Sequence, residues 1–305
     1  MKQALPFPVA TPGGRRRPMR RLTWLPPLAF IAPSLLVIAV VTLYPFVDGL
    51  YLSLTNSSLL GIGSYVGLNN FHIIFASSDF WSALQFTVTF AVCSVVGSYV
   101  VGLSLALVLN SRVPARGFFR AVLMIPWLIP PIVAIVAWRW MLDQSGVINT
   151  VLQDLGLNPI YFLSDTTWAR VAVITVKIWV SFPFMMVTCL AALQGLSPEM
   201  YEAAAIDGAG PIARFWHITM PGIRMVTVIC WLLMTIWSVN DFATIWLLTQ
   251  GGPVDATQTL ITIAFRYAFQ VTNVGLGAAV SSVMMLGMLA VGLVLMRVVR
   301  AQEEV

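Results

Sequence analysis

Two charged side chains stand where charge is costly. Lys177 interrupts the apolar run VAVITVKIWVSFPFMM, and Asp241 interrupts WLLMTIWSVNDFATIWLL. A charge at membrane depth costs about 2.5–3.5 kcal/mol on insertion scales and marks function by default. Both residues lie roughly eight to ten positions from one end of their runs, deep enough to meet within a bilayer. They form either an ion pair that holds the two runs together or part of the lining of a solute path. Thr235, Ser238 and Phe242 share one helical side of the second run, with Trp237, Asn240 and Asp241 around it, and Trp179 and Ser181 follow Lys177. Hydroxyls and amides beside aromatic rings suit a sugar, whose ring has apolar faces edged with hydroxyls. The candidate path residues are therefore Lys177, Trp179, Ser181, Thr235, Trp237, Ser238, Asn240 and Asp241. Each also has an ordinary reading, since tryptophan is common in membrane helices and Ser or Thr can bond back to their own helix.

Other chemistry is not indicated. No GxxxxGK[ST] occurs, and the only lysines are Lys2 and Lys177, so a P-loop is excluded. No HExxH, paired carboxylates or Ser/His arrangement falls at membrane depth, and His72 and His217 stand alone. Cys93, Cys189 and Cys230 are odd in number, lie in apolar runs and have no CxxC neighbour, which leaves packing as their role. The expectation is no catalytic residue, no metal and no cofactor bound by this chain.

These residues need long helices to position them. Of 305 residues, 59% are hydrophobic and 10% charged, with mean hydropathy +0.87. A soluble domain carries about 25% charged residues, so the composition excludes a water-soluble protein. The net charge of +5 gathers at the ends of apolar runs, where it sets topology, and gives no nucleic-acid surface. The expected fold is an all-α membrane protein with six transmembrane helices, about 28–50, 83–109, 117–141, 167–193, 223–249 and 275–298. The basic stretch Arg15–Arg17 and Arg20–Arg21 resembles the start of a signal peptide. The apolar run after it is longer than a signal core, and reads as a retained first helix.

Basic residues mark one side of the membrane: the N-terminal arm, Arg112, Arg116, Arg120, Arg214, Arg224, Arg297 and Arg300. Residues 51–80 and 142–166 contain no Lys or Arg but carry Asp79, Asp143, Asp154 and Asp165, and only Arg266 intrudes in the last outer loop. Both termini and the connection around Glu202 are thus expected in the cytoplasm. Arg139 and Arg170 near the outer ends are expected to reach for the interface. Pro33, Pro45, Pro126, Pro130, Pro131 and Pro183 kink the first, third and fourth runs, either as plain packing or as part of a gate.

One cytoplasmic connection is longer than a turn requires. In LSPEMYEAAAIDGAGPIARFWHITMP, Ser197 can cap a helix, Pro198 suits its first position, and Glu199 and Glu202 favour its positive end. Gly208 and Gly210 turn the chain, and Pro211 starts a second helix with Ile212, Phe215, Trp216 and Thr219 on one side. Pro221–Gly222 introduces the fifth run. The result is a helix–turn–helix knob too polar for lipid, suited to a soluble partner or to a resting place on headgroups.

Glu202-Ala203-Ala204, Gly208, Ile218 and Pro221 match the pattern E-A-A-x3-G-x9-I-x-L-P, with Met220 in place of Leu. This resembles the EAA signature of permease subunits of binding-protein-dependent bacterial ABC importers. VGLNNF at 66–71, WVSFPFMM at 179–186, LLTQGGP at 247–253 and VGLGAAVSSVM at 274–284 are similar to its carbohydrate-uptake branch, typified by maltose and glycerol-phosphate importers. The resemblance implies a cytoplasmic arm over 1–27, a six-helix permease domain over 28–300 with its coupling loop at about 196–221, and a tail at 301–305. It implies that Glu202, Ala203, Ala204, Asp207 and Gly208, with Phe215, contact an ATPase. The implied partners are a second permease chain, in this family more often a different chain than a copy, two ATPase subunits carrying ATP and Mg, an extracytoplasmic binding protein, a sugar-like solute and membrane lipid. The implied setting is the bacterial plasma (inner) membrane, and the chain is then a transport subunit, not an enzyme. The competing expectation is a secondary transporter or channel driven by an ion gradient.

Overall fold

The computed structural model describes residues 25–303 apart from Arg112. Of the expected basic arm, residues 1–24 lie outside the described residues, as do Arg112 and the last two residues of the tail. The chain divides into a unit ending at Asp48 and a unit starting at Gly49. The first comprises α1 (Leu25–Ile38), a π turn (Ala39–Leu43) and the start of α2 (Tyr44–Ser53).

The second unit is helical throughout, and no strand is formed among the described residues. It contains α3 (Asn69–Ala76), α4 (Ser78–Asn110), α5 (Arg116–Leu123), α6 (Ile125–Leu128), α7 (Pro131–Met141) and α8 (Val147–Asp154). There follow α9 (Thr166–Gln194), α10 (Pro198–Ile206), α11 (Pro211–Arg214), a π turn (Phe215–Thr219) and α12 (Met220–Val239). The chain ends in α13 (Phe242–Leu248), α14 (Leu260–Phe265), a π turn (Arg266–Gln270) and α15 (Val274–Glu303). Five helical runs among the described residues are long and apolar enough to cross a membrane: Phe30–Ser53, Ser78–Asn110, Thr166–Gln194, Pro211–Val239 and Val274–Val294.

The run expected at 117–141 is not one helix. It breaks into α5, α6 and α7 because Pro126 and Pro131 offer no N–H to a preceding turn, and each instead starts a new helix. The run expected at 223–249 also breaks, at Asn240 and Asp241, and resumes as α13. At its other end it is longer than expected, since Pro221 does not interrupt it. In the π turn before it, the Met220 N–H bonds the Phe215 carbonyl five residues back, and the residue lacking an N–H follows directly. Helix therefore runs without a break from Pro211 to Val239. The same arrangement carries the first run past Pro45, where the Tyr44 N–H bonds the Ala39 carbonyl.

The core lies where α4 crosses α9. At 1.5 Å per residue α4 is about 50 Å long. Tyr99, Leu103 and Ala106 of α4 pack with Met185, Met186 and Cys189 of α9 and with Ile223, Cys230 and Met234 of α12. A second cluster joins Phe86 and Phe90 to Ile135, Val173, Val176, Ile245 and Leu248, and so fixes α13 against α7 and α9. A third joins Ile74, Phe80 and Ala83 to Leu260, Ile263, Ala279 and Val280. Asp165 starts α9 by accepting the Thr167 and Trp168 N–H groups at 2.9 Å each.

Gly102 permits the α4–α9 approach. A β-carbon there would lie 2.6 Å from Met185 Cβ and 2.8 Å from Met186 N. Gly102→Ala is expected to lower stability by about 1–3 kcal/mol, although alanine is the better helix former. Gly292→Ala, with nothing near its β-carbon, is the control and should be neutral or stabilising. Thermal unfolding of the two detergent-solubilised variants checks the difference.

Loops at the end opposite α10 are braced by side chains. Asn70 donates to the Ser53 and Thr55 carbonyls at 2.8 Å each, holding the 54–66 turn. Arg139 and Arg170, expected at an interface, donate to the Leu247 and Ala256 carbonyls at 3.3 and 2.8 Å. They thereby anchor the end of α13 and the segment after it.

Candidate functional site

The knob read from the sequence is two short helices with a defined bend. Ser197 occupies the N-cap position of α10 with an extended backbone, and Pro198 is the first helical residue. The Ser197 hydroxyl does not cap the backbone; it donates to Glu199 Oε2 at 3.3 Å. At the far end the Ala209 N–H bonds the Ala204 carbonyl and the Gly208 N–H bonds the Ala205 carbonyl. This closing pattern needs a left-handed residue, and Gly208 supplies it at φ +80°. Open space surrounds its α-carbon, so the backbone angle and not crowding requires glycine. Gly210 then caps α11.

The bend is tied to the body. The Tyr201 and Thr219 hydroxyls lie 2.9 Å apart, joining α10 to the π turn, and Thr219 is buried. Phe215 is half-buried against the α4–α9–α12 core and meets Trp216 edge to face at 5.1 Å. Glu202, Ala203, Asp207 and Gly208 are exposed, and Ala204 is half-buried. Beside the two carboxylates Ile206 is 87% and Ile212 77% exposed, and Trp216 and Met200 are also uncovered. Acidic groups among large exposed apolar side chains on a tethered bend make a surface that calls for a partner. Met200 and Ile206 were not singled out in the sequence.

Where the continuous helix from Pro211 ends, the two membrane charges meet. Lys177 Nζ lies 2.7 Å from Asp241 Oδ2, with the side chains about one-tenth exposed. Asp241 is also the N-cap of α13. Its Oδ1 accepts the Thr244 N–H at 3.0 Å and its Oδ2 accepts the Thr244 hydroxyl at 2.7 Å. The pair therefore spans α9 and the break between α12 and α13.

In front of Lys177 lies an open cavity of about 250 Å³ lined by Trp127, Pro131, Ser181, Phe184, Met234 and Trp237 with the lysine itself. Trp127, Phe184 and Trp237 form a triangle of rings, with centroid separations of 5.0, 5.0 and 6.5 Å. Of the residues singled out from the sequence, the structure brings Lys177, Ser181 and Trp237 to this wall, with Asp241 behind it. Trp179 packs edge to face on Trp138 at 5.6 Å. Thr235 bonds back to the Trp231 carbonyl and lines a different, apolar cleft with Leu84, Leu260 and Met284. Asn240 donates to the Ile236 carbonyl at 2.8 Å, and Ser238 is buried with no hydrogen-bond partner among the described residues. Trp127 and Phe184 went unremarked in the sequence. The available signal was Trp127 between Pro126 and Pro130, where a broken helix takes a side chain off the helical register.

Residues 98–304 match the family described as binding-protein-dependent transport system inner membrane component. The chain is 34% identical over 276 residues to the trehalose/maltose transport system permease protein MalF of Thermococcus litoralis, covering 90% of this chain and 93% of that one. It is 31% identical over 289 residues to the sn-glycerol-3-phosphate transport system permease protein UgpA of Escherichia coli, covering 94% and 97%. Its fold is similar to a chain in the crystal structure of a bacterial ABC transporter involved in the import of the acidic polysaccharide alginate. That likeness has a TM-score of 0.79 at 24% identity and covers 91% of this chain and 96% of the other.

Proposed function

Because this chain belongs to the family of binding-protein-dependent transport system inner membrane components, a multi-pass transport subunit with no ATPase motif of its own, we propose that it forms half of the translocation path of an ATP-driven importer for a sugar or sugar-like solute. The Glu202–Pro221 elbow docks into a separate ATPase, through Glu202, Ala203, Ala204, Asp207, Gly208 and Phe215. Two ATPase subunits hold ATP and Mg, a second permease chain completes a six-plus-six-helix path, and an extracytoplasmic binding protein delivers the solute. The permease domain spans 28–300 with both termini and the elbow in the cytoplasm of a bacterial inner membrane, an orientation supported by the distribution of Lys and Arg.

One observation carries this reading. The elbow and the charged wall are opposite ends of one helical run, Pro211–Val239. At 1.5 Å per residue its 29 residues reach about 43 Å. Movement at α10 and α11 is passed along that run to Met234 and Trp237 and to the break at Asp241, where the path can change shape. ATP and the loaded binding protein each favour one of two arrangements, and their differential affinity supplies the shift. The wall itself offers ring faces, one hydroxyl and a lysine ammonium, groups that fit a polyhydroxylated solute. The name of the trehalose/maltose relative supports the same class.

Vesicles holding the chain with its partner subunits test the proposal. Uptake should require ATP on the elbow side and the binding protein on the other. Uptake that persists without ATP and follows an imposed ion gradient would establish the secondary-transporter reading instead.

A further inference from the structure

The cavity in front of Lys177 has an unusual charge arrangement. Lys177 is the one charged residue lining it among the described residues, and Asp241, at 2.7 Å, does not line it. The carboxylate is held from behind. Thr244 occupies both of its oxygens through backbone N–H and hydroxyl, so the first turn of α13 keeps it from swinging into the cavity. The wall is thus electrically compensated. An ammonium has three N–H donors, and a single contact with Asp241 leaves donors for the cavity. The remaining lining is the ring triangle of Trp127, Phe184 and Trp237 with the Ser181 hydroxyl one turn from the lysine. An anionic solute would meet no uncompensated cation there and would face a carboxylate one ammonium away. A neutral polyol would find donors for its oxygens and ring faces for its C–H faces.

We infer that this wall selects uncharged, hydroxyl-rich solutes over anionic ones such as phosphate esters or uronates, and that Asp241 is the positioning residue that sets this selection by compensating Lys177. The inference rests on the reading above that the cavity belongs to the translocation path.

The test reads local charge directly. In a Cys93→Ser background, which removes the exposed native thiol, Ser181→Cys places a near-isosteric thiol in the cavity. The assembled transporter in membrane vesicles is reacted with sulfonatoethyl (anionic) and trimethylammonioethyl (cationic) methanethiosulfonate. The rate ratio, anionic over cationic, is normalised to that of a small free thiol. With Lys177 and Asp241 both present the normalised ratio should stay within about three-fold of one. Asp241→Asn should raise it about ten-fold and Lys177→Gln should lower it by a similar factor, as one uncompensated charge nearby demands. The double variant should return it to the starting value. Where Asp241→Asn fails to assemble, Lys177→Gln and the double variant carry the comparison. A ratio that neither single change moves overturns the compensation while leaving the path reading intact. An introduced thiol that reacts with neither reagent in any nucleotide state overturns the path reading itself.

Discussion

Glu202→Lys is expected to abolish ATP-driven uptake while the chain still inserts and folds. Glu202 is exposed on α10, and surface substitutions of this kind usually change stability by about 0.5 kcal/mol or less. The same exposure leaves it open to the proposed contact with the ATPase. Removing one partner of a buried charged contact at an interface costs about 2–5 kcal/mol, and reversing the charge adds repulsion. At about 1.4 kcal/mol per decade, the expected loss is roughly thirty-fold to several-thousand-fold. Initial uptake rates in vesicles, normalised to the amount of chain in the membrane, check it. Gly208→Val should act in the same direction for another reason, because a β-branched residue cannot readily adopt the φ of +80° that closes α10. Normal uptake by Glu202→Lys would remove the elbow from the mechanism.

The second large effect concerns stability. Asp241→Ala leaves the Lys177 ammonium buried without its carboxylate and removes the cap of α13. Breaking one side of a buried pair costs about 3–5 kcal/mol, and loss of the cap contributes about 1 kcal/mol more. Replacing both members, as Lys177→Met with Asp241→Asn, should cost far less, because no orphaned charge remains and the asparagine oxygen can still accept the Thr244 N–H. Thermal unfolding of Lys177→Met, Asp241→Asn and the two combined gives the coupling directly. Losses in the two single variants that simply add in the double variant would mean that the pair contributes nothing beyond its separate groups.

How much of this is legible in the sequence depends on which force decides each feature. The two charges are conspicuous, because charge in an apolar run is rare and costly, and their depths make a meeting possible. The elbow is legible for local reasons: Ser197, Pro198, Gly208, Gly210 and Pro211 each carry a backbone preference that sequence displays. The breaks are not. A proline in an apolar run can kink a helix, end it or be passed by, and the packing around it decides which: Pro33 and Pro183 lie inside α1 and α9. Pro221 and Pro45 are passed after π turns, whereas Pro126 and Pro131 each begin a new helix.

Path residues suffer from the same limit. A helical wheel assumes one uninterrupted helix through Thr235, Ser238 and Asp241, yet α12 ends at Val239. Beyond that residue the wheel no longer says which way a side chain faces. Asn240 therefore folds back on its own helix while Asp241 turns toward Lys177. Thr235 faces the cleft between α4 and α15, where its hydroxyl is already taken by the Trp231 carbonyl. The aromatic triangle draws its rings from α6, α9 and α12, and no periodicity within one segment could have assembled it.

The central claim is that the elbow grips an external ATPase, and site-directed crosslinking reads this most directly. Ala203→Cys places a thiol on the exposed side of α10 next to Glu202. In vesicles containing the assembled transporter, a short thiol-to-amine bifunctional reagent should join this new thiol to a lysine of the ATPase subunit, with a yield that changes when ATP is added. A thiol at position 203 that stays uncrosslinked while a membrane-impermeant reagent labels it from outside intact cells would contradict the account.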